Sequence, residues 1–393
     1  MKKKQPVWVL IFAMALAATC AVIIAPALTQ IRAYFNVSNS TSQQLIAIFL
    51  LGYAISQLIS GPISNTYGRK KTLLLGLIVG FFGIIISLVA IYIHSFELLY
   101  VSRGLAGIGT AAGVTLSMTI INESFDAVQA RKVMAFCVAS FALAPGISSC
   151  IGGIITQFVG FEFCFVFMAV LAIFCCIITL KLSETLPIER RVKLSLKIML
   201  QSYFLAFKNS KVIFSSLVYG LPVACIYLIA TLAPFIAILN FKISPSICGI
   251  LIFTSYVGYF VGSLIPKFLN TKFKPMTVVF IGTIFTTIIS ALLLGCTLFG
   301  FLNVYTLFIL TFLFFLGNPL IFVNLSVFGI SSHFDKATAS SVFMFIVILM
   351  SYLVLAITGK IHGEFEMVLA FACFGASLLA FLIFQICLKK NTT

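Results

Sequence analysis

Charge is what this chain is shortest of. Only 9% of its 393 residues are Asp, Glu, Lys or Arg, and 62% are hydrophobic. A soluble domain carries about a quarter charged residues. Too little polar surface is left to cover a water-soluble globule, so a soluble enzyme and a disordered chain are both excluded. Acid is scarcer still, at nine Asp and Glu against 25 Lys and Arg. The 11 cysteines include no Cys-x-x-Cys pair and lie inside apolar runs, as at Cys137, Cys164, Cys225 and Cys373. A thiol placed so behaves as a small hydrophobe, which argues against a disulfide framework or a metal site. There is no Gly-x-x-x-x-Gly-Lys-Ser/Thr loop, so ATP-driven transport by this chain alone is not expected. The three histidines, His94, His333 and His362, stand apart with no nucleophile or metal set around them. No catalytic residue, metal or cofactor is therefore expected.

What the chain has is length of apolar sequence. A membrane span needs roughly 20 apolar residues. Twelve such runs fit, at 6–29, 42–62, 72–93, 97–121, 132–156, 162–182, 212–237, 245–267, 276–298, 303–328, 337–358 and 366–388. They are continuous and about twice the length of a barrel strand, so they read as helices. The basic start at Lys2 to Lys4 resembles a signal peptide, but the apolar run continues through Ile24 to Leu28. It reads as an uncleaved first span. The longest loop, 183–211, divides the chain into halves 1–182 and 212–393. The expected fold is all-α and integral to the membrane, with 12 transmembrane helices in two six-helix halves around a central site. The loop holds an amphipathic basic stretch from Leu194 to Phe207. It is either a plain linker or a contact for anionic lipid.

The positive charge decides orientation. With the N-terminus inside, the cytoplasmic loops and tails hold 21 of the 25 basic residues, including Lys2 to Lys4, Lys132 and Lys389-Lys390. Arg32, Lys242 and Lys360 fall outside, and Arg103 falls within span 4. The positive-inside rule then puts both termini in the cytoplasm. Basic residues clustered between spans are topological signals, so nucleic acid is not an expected partner.

The strongest motif follows span 2: Gly61-Pro62-Ile63-Ser64-Asn65-Thr66-Tyr67-Gly68-Arg69-Lys70-Lys71. It resembles the loop 2–3 motif of the major facilitator superfamily, Gly-x-x-x-Asp-x-x-Gly-Arg-Lys/Arg. Gly52-x-x-x-x-Gln57-Leu58-x-x-Gly61-Pro62 resembles the superfamily's Bcr/CflA drug-resistance branch. So do Pro26-Ala27, Ala144-Pro145 with Gly152-Gly153, Glu184-Thr185-Leu186-Pro187 and Ala233-Pro234-Phe235. The resemblance covers most of the first half and thins in the second. It implies a secondary transporter of the bacterial inner membrane, working as a monomer on a small organic substrate. Its gate would be formed by Gly61, Asn65, Gly68, Arg69 and Lys70. Pro145, Gly152, Gly153 and Pro319 are the candidate points of helix bending, with Pro222 and Pro234 as further proline positions.

Four family positions depart from the pattern: Val22, Asn65, Ala106 and Ser149. The first two remove carboxylates. All nine acids of the chain lie in loops or at span ends, so the membrane-embedded acid usual in proton antiporters is missing. Arg103 is the one ionisable residue well inside a span. It is either a substrate or coupling residue facing a cavity, or an arginine snorkelling to the interface near Glu97. A cavity with Arg103 and no acid is expected to favour neutral or anionic substrates. Gln57, Tyr53, Tyr227, Asn318, Asn324, Ser351 and Tyr352 are candidates to line it, with helix–helix hydrogen bonding as the alternative for each. Efflux of drug-like compounds, with protons as the candidate coupling ion, is the first functional reading. A dedicated metabolite or siderophore carrier without conventional proton antiport is the second. A sensor or enzyme would need a soluble domain or catalytic cluster, and neither is present.

Overall fold

In hydrocarbon a backbone must satisfy its own hydrogen bonds, and these apolar runs do so as helices. The computed structural model describes residues 5–193, 195–333, 335–361 and 363–392, except the side chains of 127, 128, 131, 135, 138, 196, 198 and 387–392. Lys2 to Lys4, Leu194, His362 and the side chains of Arg131, Lys389 and Lys390 lie outside the described residues. In chain order the helices are α1 (Val7–Val22), α2 (Leu28–Phe35), α3 (Asn39–Tyr67), α4 (Arg69–Tyr92), α5 (Phe96–Ser124), α6 (Ala127–Phe158) and α7 (Glu162–Thr179). There follow α8 (Leu196–Lys208), α9 (Ser210–Phe235), α10 (Pro245–Lys272), α11 (Pro275–Leu298), α12 (Val304–Ser331), α13 (Lys336–Thr358) and α14 (Phe365–Thr392). Eleven of the described helices are long and apolar enough to cross a membrane, and α1 with α2 completes the twelve.

The first span differs from the unbroken run 6–29 expected of it. Residues 23–27 form tight turns, with Ala25 N–H donating to the Val22 carbonyl at 2.9 Å and Ala27 N–H to the Ile24 carbonyl at 3.0 Å. The cause is Pro26, which has no N–H to return to residue 22. Beyond the break α2 carries the span on to Phe35. The basic stretch of the long loop forms its helix at α8, slightly later than the Leu194 to Phe207 read from the sequence.

Helix starts are capped by side chains. Ser38, Ser95, Asn209, Ser244, Asn303 and Asp335 each accept from a backbone N–H of the first turn, which satisfies donors the helix leaves free. Five spans stop on a left-handed residue at the same end of the bundle: Asn36, His94, Gly160, Lys242 and Gly300. That end is called the far end below. The opposite end carries α8 and is called the linker end.

The packing repeats. Helix α1 lies against α5, α6 and α7, and α9 lies against α12, α13 and α14. The pair α3–α5 is matched by α10–α12, α4–α5 by α11–α12, and α4–α7 by α11–α14. Moving every span on by six converts one set of pairs into the other, so the molecule is two six-helix halves of the same design. Lipid supplies no hydrophobic drive between helices, and close approach at small residues takes its place. A Cβ at Gly52 of α3 would lie 2.1 Å from the Gly104 carbonyl oxygen of α5, and one at Gly262 of α10 the same distance from the Leu316 carbonyl oxygen of α12.

The halves meet along two seams, α3 with α13 and α6 with α10. These seams exchange under the same six-span shift. At the far end Gln44 packs on Gly359 and Gly153 on the Pro245 carbonyl. Also there, Gln157 Oε1 accepts from Ser246 N–H at 3.2 Å. At the linker end Gly61 faces Ser341. Large apolar side chains such as Phe82, Val101, Phe158, Leu292 and Ile309 stay exposed on the perimeter, as a lipid-facing surface requires.

Candidate functional site

The turn between α3 and α4 is built around one residue. Gly68 has φ 100°, and a Cβ there would lie 2.4 Å from Glu184 Oε2. Only glycine fits both the backbone and the space. The chain therefore enters α4 directly at Arg69. Its guanidinium donates to Glu123 Oε1 at 2.9 and 3.1 Å, to Ser64 Oγ at 2.6 Å and to Asn65 Oδ1 at 2.5 Å. Thus Glu123, from the last turn of α5, supplies the charge partner that Asn65 lacks. Glu184 Oε1 accepts the backbone N–H of Arg69 at 2.8 Å and those of Thr185 and Leu186, and Glu184 Oε2 lies 4.0 Å from Arg191. A carboxylate on the start of α4 also meets the positive end of the helix dipole. Thr185 Oγ1 donates to Glu123 Oε2 at 2.5 Å, Lys70 Nζ to the Leu180 carbonyl at 2.7 Å, and Val192 N–H to the Asn65 carbonyl at 3.1 Å. The segment after span 6 is thereby clasped onto the turn.

Helix α8 lies against α13 and α9 at the same end. Phe207 meets Phe345 of α13 edge to face at 6.0 Å. The Tyr203 hydroxyl donates to the Leu58 carbonyl of α3. In an unbroken helix that carbonyl accepts from residue 62, which here is Pro62 and has no N–H. The linker helix thus fills an acceptor that the proline leaves open. Burial, with the negative charge of Asp335, pushes the Tyr203 phenol well above its ordinary value.

Arg103 is 1% exposed. It does not snorkel; it points inward among α1, α3, α5 and α7. Nη2 donates to the Cys20 carbonyl at 2.6 Å and Nε to the Leu45 carbonyl at 3.5 Å. Nη1 lies 3.9 Å from Met168 Sδ, and the guanidinium carbon is 4.7 Å from the centre of the Phe49 ring. Cys20 lies in the last turn of α1, directly before the turns at 23–27 where the regular ladder stops. Gly152 lies on the same break, since a Cβ there would be 2.0 Å from the Ile23 carbonyl oxygen. Arg103 and Gly152 together hold the interrupted first span. Neighbouring Gly153 faces the other half instead.

Between the halves lies a cluster of phenols. Tyr53 of α3 and Tyr227 of α9 are about 21 and 12 Å from the far ends of their helices at 1.5 Å per residue, and they lie within electrostatic reach of each other. Tyr219 of α9 shares a 3.2 Å hydrogen bond with Tyr259 of α10, and Tyr256 packs edge-on against Phe315 at 5.0 Å. Gln57, one turn beyond Tyr53, is 3% exposed and accepts from Thr115 Oγ1 at 3.0 Å through Oε1, while its Nε2 has no partner.

The remaining sequence candidates separate from this centre. Asn324 accepts from Asn270 at 3.0 Å, a link between α12 and α10 within one half. Asn318 donates to the Phe314 carbonyl at 3.0 Å and leaves its Oδ1 unpartnered. Ser351 donates to Val347 at 3.1 Å, and Tyr352 lies within reach of Tyr100 across the halves. Helices α6 and α12 run on through Pro145 and Pro319. His94 is not isolated: it stacks on Tyr34 at 4.2 Å. Sequence reading assigned no role in the site to Glu123, Tyr203, Tyr219, Tyr256 and Tyr259, and quoted Glu184 only as part of the motif after span 6. The acids were visible as charges at span ends, Tyr219, Tyr256 and Tyr259 as polar groups inside spans, and Tyr203 as part of the amphipathic stretch of the long loop. The ten described cysteines are all free thiols.

A family profile described as the Major Facilitator Superfamily matches residues 10–326. The chain belongs to the major facilitator superfamily. It is accordingly a multi-pass membrane transporter and not an enzyme. Among curated relatives it is 25% identical to Multidrug resistance protein D of Escherichia coli over 307 residues, which is 76% of this chain and 74% of that one. It is 30% identical to a bicyclomycin resistance protein homolog of Haemophilus influenzae over 189 residues, 48% and 47% of the two chains. Among solved structures it matches a D-xylose-proton symporter with TM-score 0.76 at 15% identity, covering 95% and 96% of the two chains. That last likeness speaks for the superfamily fold alone.

Proposed function

We propose that this transporter exports drug-like or toxic organic compounds across a bacterial inner membrane by alternating access. Residues 1–182 and 212–393 act as two rocking bodies, residues 183–211 tether them, and one copy suffices. The observation that carries the reading is the pair of seams. Because α3–α13 and α6–α10 exchange under the six-span shift, rotation about the centre opens one end as it closes the other. Inverted repeats within such halves provide that motion. The Arg69–Glu123–Glu184 clasp and the Tyr203 contact then hold the linker end shut. That end is the cytoplasmic one, because the loops and tails on its side hold 21 of the 25 basic residues. The names of the Escherichia coli and Haemophilus influenzae relatives favour export over uptake.

One observation favours a second reading. Glu97, Glu162 and Glu366 sit in first helical turns and Glu123 in a last one, so no described acid lies inside the membrane. Proton antiport through a buried carboxylate has no group to use. A metabolite or chelator carrier working by exchange or facilitated diffusion needs none.

The test is accumulation of radiolabelled cationic, neutral and anionic compounds in an efflux-deficient host. Cells making this protein are compared with cells making Gly153→Leu, which wedges α6 from α10. Lowered accumulation that the variant abolishes supports export. Raised accumulation of a metabolite or iron chelator overturns export in favour of the carrier. No change with correctly inserted protein overturns export of those compounds.

A further inference from the structure

The junction of the halves has a chemistry of its own. It gathers Tyr53 from one half and Tyr219, Tyr227, Tyr256 and Tyr259 from the other. The rings are framed by aromatic side chains: Tyr219 lies 4.8 Å from Phe322 and stacks on Phe343 at 6.1 Å. Two polar atoms there are left over. Gln57 Nε2 is a buried donor without a partner, on the same face of α3 as Tyr53. Asn318 Oδ1 is a buried acceptor without a partner. Asn318 stands one turn from Phe322 and three residues from Phe315, the rings that meet Tyr219 and Tyr256, so it shares their face of α12. A buried donor and a buried acceptor left unmade in a low-dielectric site are costly until something pairs with them.

Charge is absent from this arrangement. Among the described residues no acid lies in a span beyond its first or last turn. The one embedded cation, Arg103, already binds the Cys20 carbonyl at 2.6 Å, the Leu45 carbonyl at 3.5 Å and the Phe49 ring. An anion would have to take Arg103 from the backbone of the broken first span. A cation would find no carboxylate.

Resting on the transporter reading above, we infer that the site between the halves takes an uncharged, aromatic-bearing molecule with at least one hydrogen-bond acceptor for Gln57 Nε2 and one donor for Asn318 Oδ1. Tyrosine faces clamp its flat part, and the two amides fix its orientation from opposite halves. Arg103 is thereby a structural residue of the first span and takes no part in substrate charge.

The test is equilibrium binding to the purified full chain in lipid nanodiscs. The probes are chloramphenicol (uncharged, aromatic, with amide and hydroxyl groups), tetraphenylphosphonium (a hydrophobic cation) and salicylate (an aromatic anion). Chloramphenicol is expected to bind at least about tenfold more tightly than either ion. Gln57→Leu and Asn318→Leu are each expected to weaken it about five- to tenfold, the loss of one hydrogen bond. Gln57→Glu supplies the missing carboxylate and is expected to raise tetraphenylphosphonium binding about tenfold, a gain that misfolding cannot mimic. Binding of the cation to the unaltered chain as tightly as chloramphenicol would mean that the rings act as a cation–π cage and would overturn the inference. So would tight salicylate binding, or no binding of chloramphenicol. Cellular accumulation is read separately. Tight chloramphenicol binding without export leaves the substrate class standing and removes the export reading, whereas export of cations removes the substrate class alone.

Discussion

Removing the Tyr203 hydroxyl should loosen the linker end by a definite amount. The group donates to the Leu58 carbonyl, whose helical partner position is occupied by Pro62. Tyr203 is 9% exposed, so Tyr203→Phe leaves the carbonyl largely shielded and unpaired. The loss of such a bond costs about 1–2 kcal/mol, a five- to thirtyfold shift toward the state open at the linker end. Spin labels in place of Lys71 and Lys336, in a background with the native thiols replaced, would read that equilibrium as the populations of two distances. The decisive comparison is a double-mutant cycle with Pro62→Ala, which restores a backbone N–H to the Leu58 carbonyl. In that background Tyr203→Phe should cost at least about 1 kcal/mol less. An equal effect in both backgrounds would refute the idea that the linker helix serves the vacancy left by the proline. The phenol's raised value adds a second check. A neutral tyrosine contributes fully below the ordinary value of about 10 and is lost only as pH climbs through the raised one. The label populations should therefore not change through Tyr203 between about pH 6 and 9.

Other outcomes follow from single contacts. Asn65→Asp adds a second carboxylate to Arg69 and should stabilise the closed linker end by about 0.5–1 kcal/mol, read by the same labels; an unchanged population would show that Glu123 already saturates the arginine. Arg103→Lys keeps the charge but cannot span the Cys20 and Leu45 carbonyls. It should lower thermal stability by about 1–3 kcal/mol while leaving the ranking of the three probes intact, and a reversed ranking would return Arg103 to the substrate site. Gly153→Ala puts a Cβ 2.3 Å from the Pro245 carbonyl oxygen. It should hold the halves about 1–3 kcal/mol away from closure at the far end, seen as faster labelling of thiols placed there. Gly152→Ala strikes the Ile23 carbonyl instead and should show its cost as a lowered melting temperature.

The twelve spans were legible because hydrophobic length and the placement of lysine and arginine are local quantities, counted along the chain. The turn between α3 and α4 was legible too, since Gly68 and Arg69 carry its geometry in consecutive residues. The break at Pro26 was legible only as a proline. Whether such a residue kinks, breaks or merely interrupts a helix depends on what takes up the freed carbonyls, and Arg103 and Gly152 come from α5 and α6 to do it. The sequence displayed Arg103 as a lone buried charge, and a lone charge in a span suggests a substrate. Its partners are backbone carbonyls of Cys20 and Leu45, which exist at every residue and leave no mark in the sequence. Likewise Asn65 reads as a lost ion pair until α5 brings Glu123 to Arg69 from 54 residues away.

By itself, then, the sequence determined that the chain lies in a membrane as repeated helices and which of its loops carry the charge. Those properties are sums of transfer free energies along the chain. Which polar groups meet, and so what remains unpaired between the halves, was decided only by tertiary structure. A hydrogen bond depends on positions to within a fraction of an ångström, and the close approaches that set those positions join residues far apart in the chain.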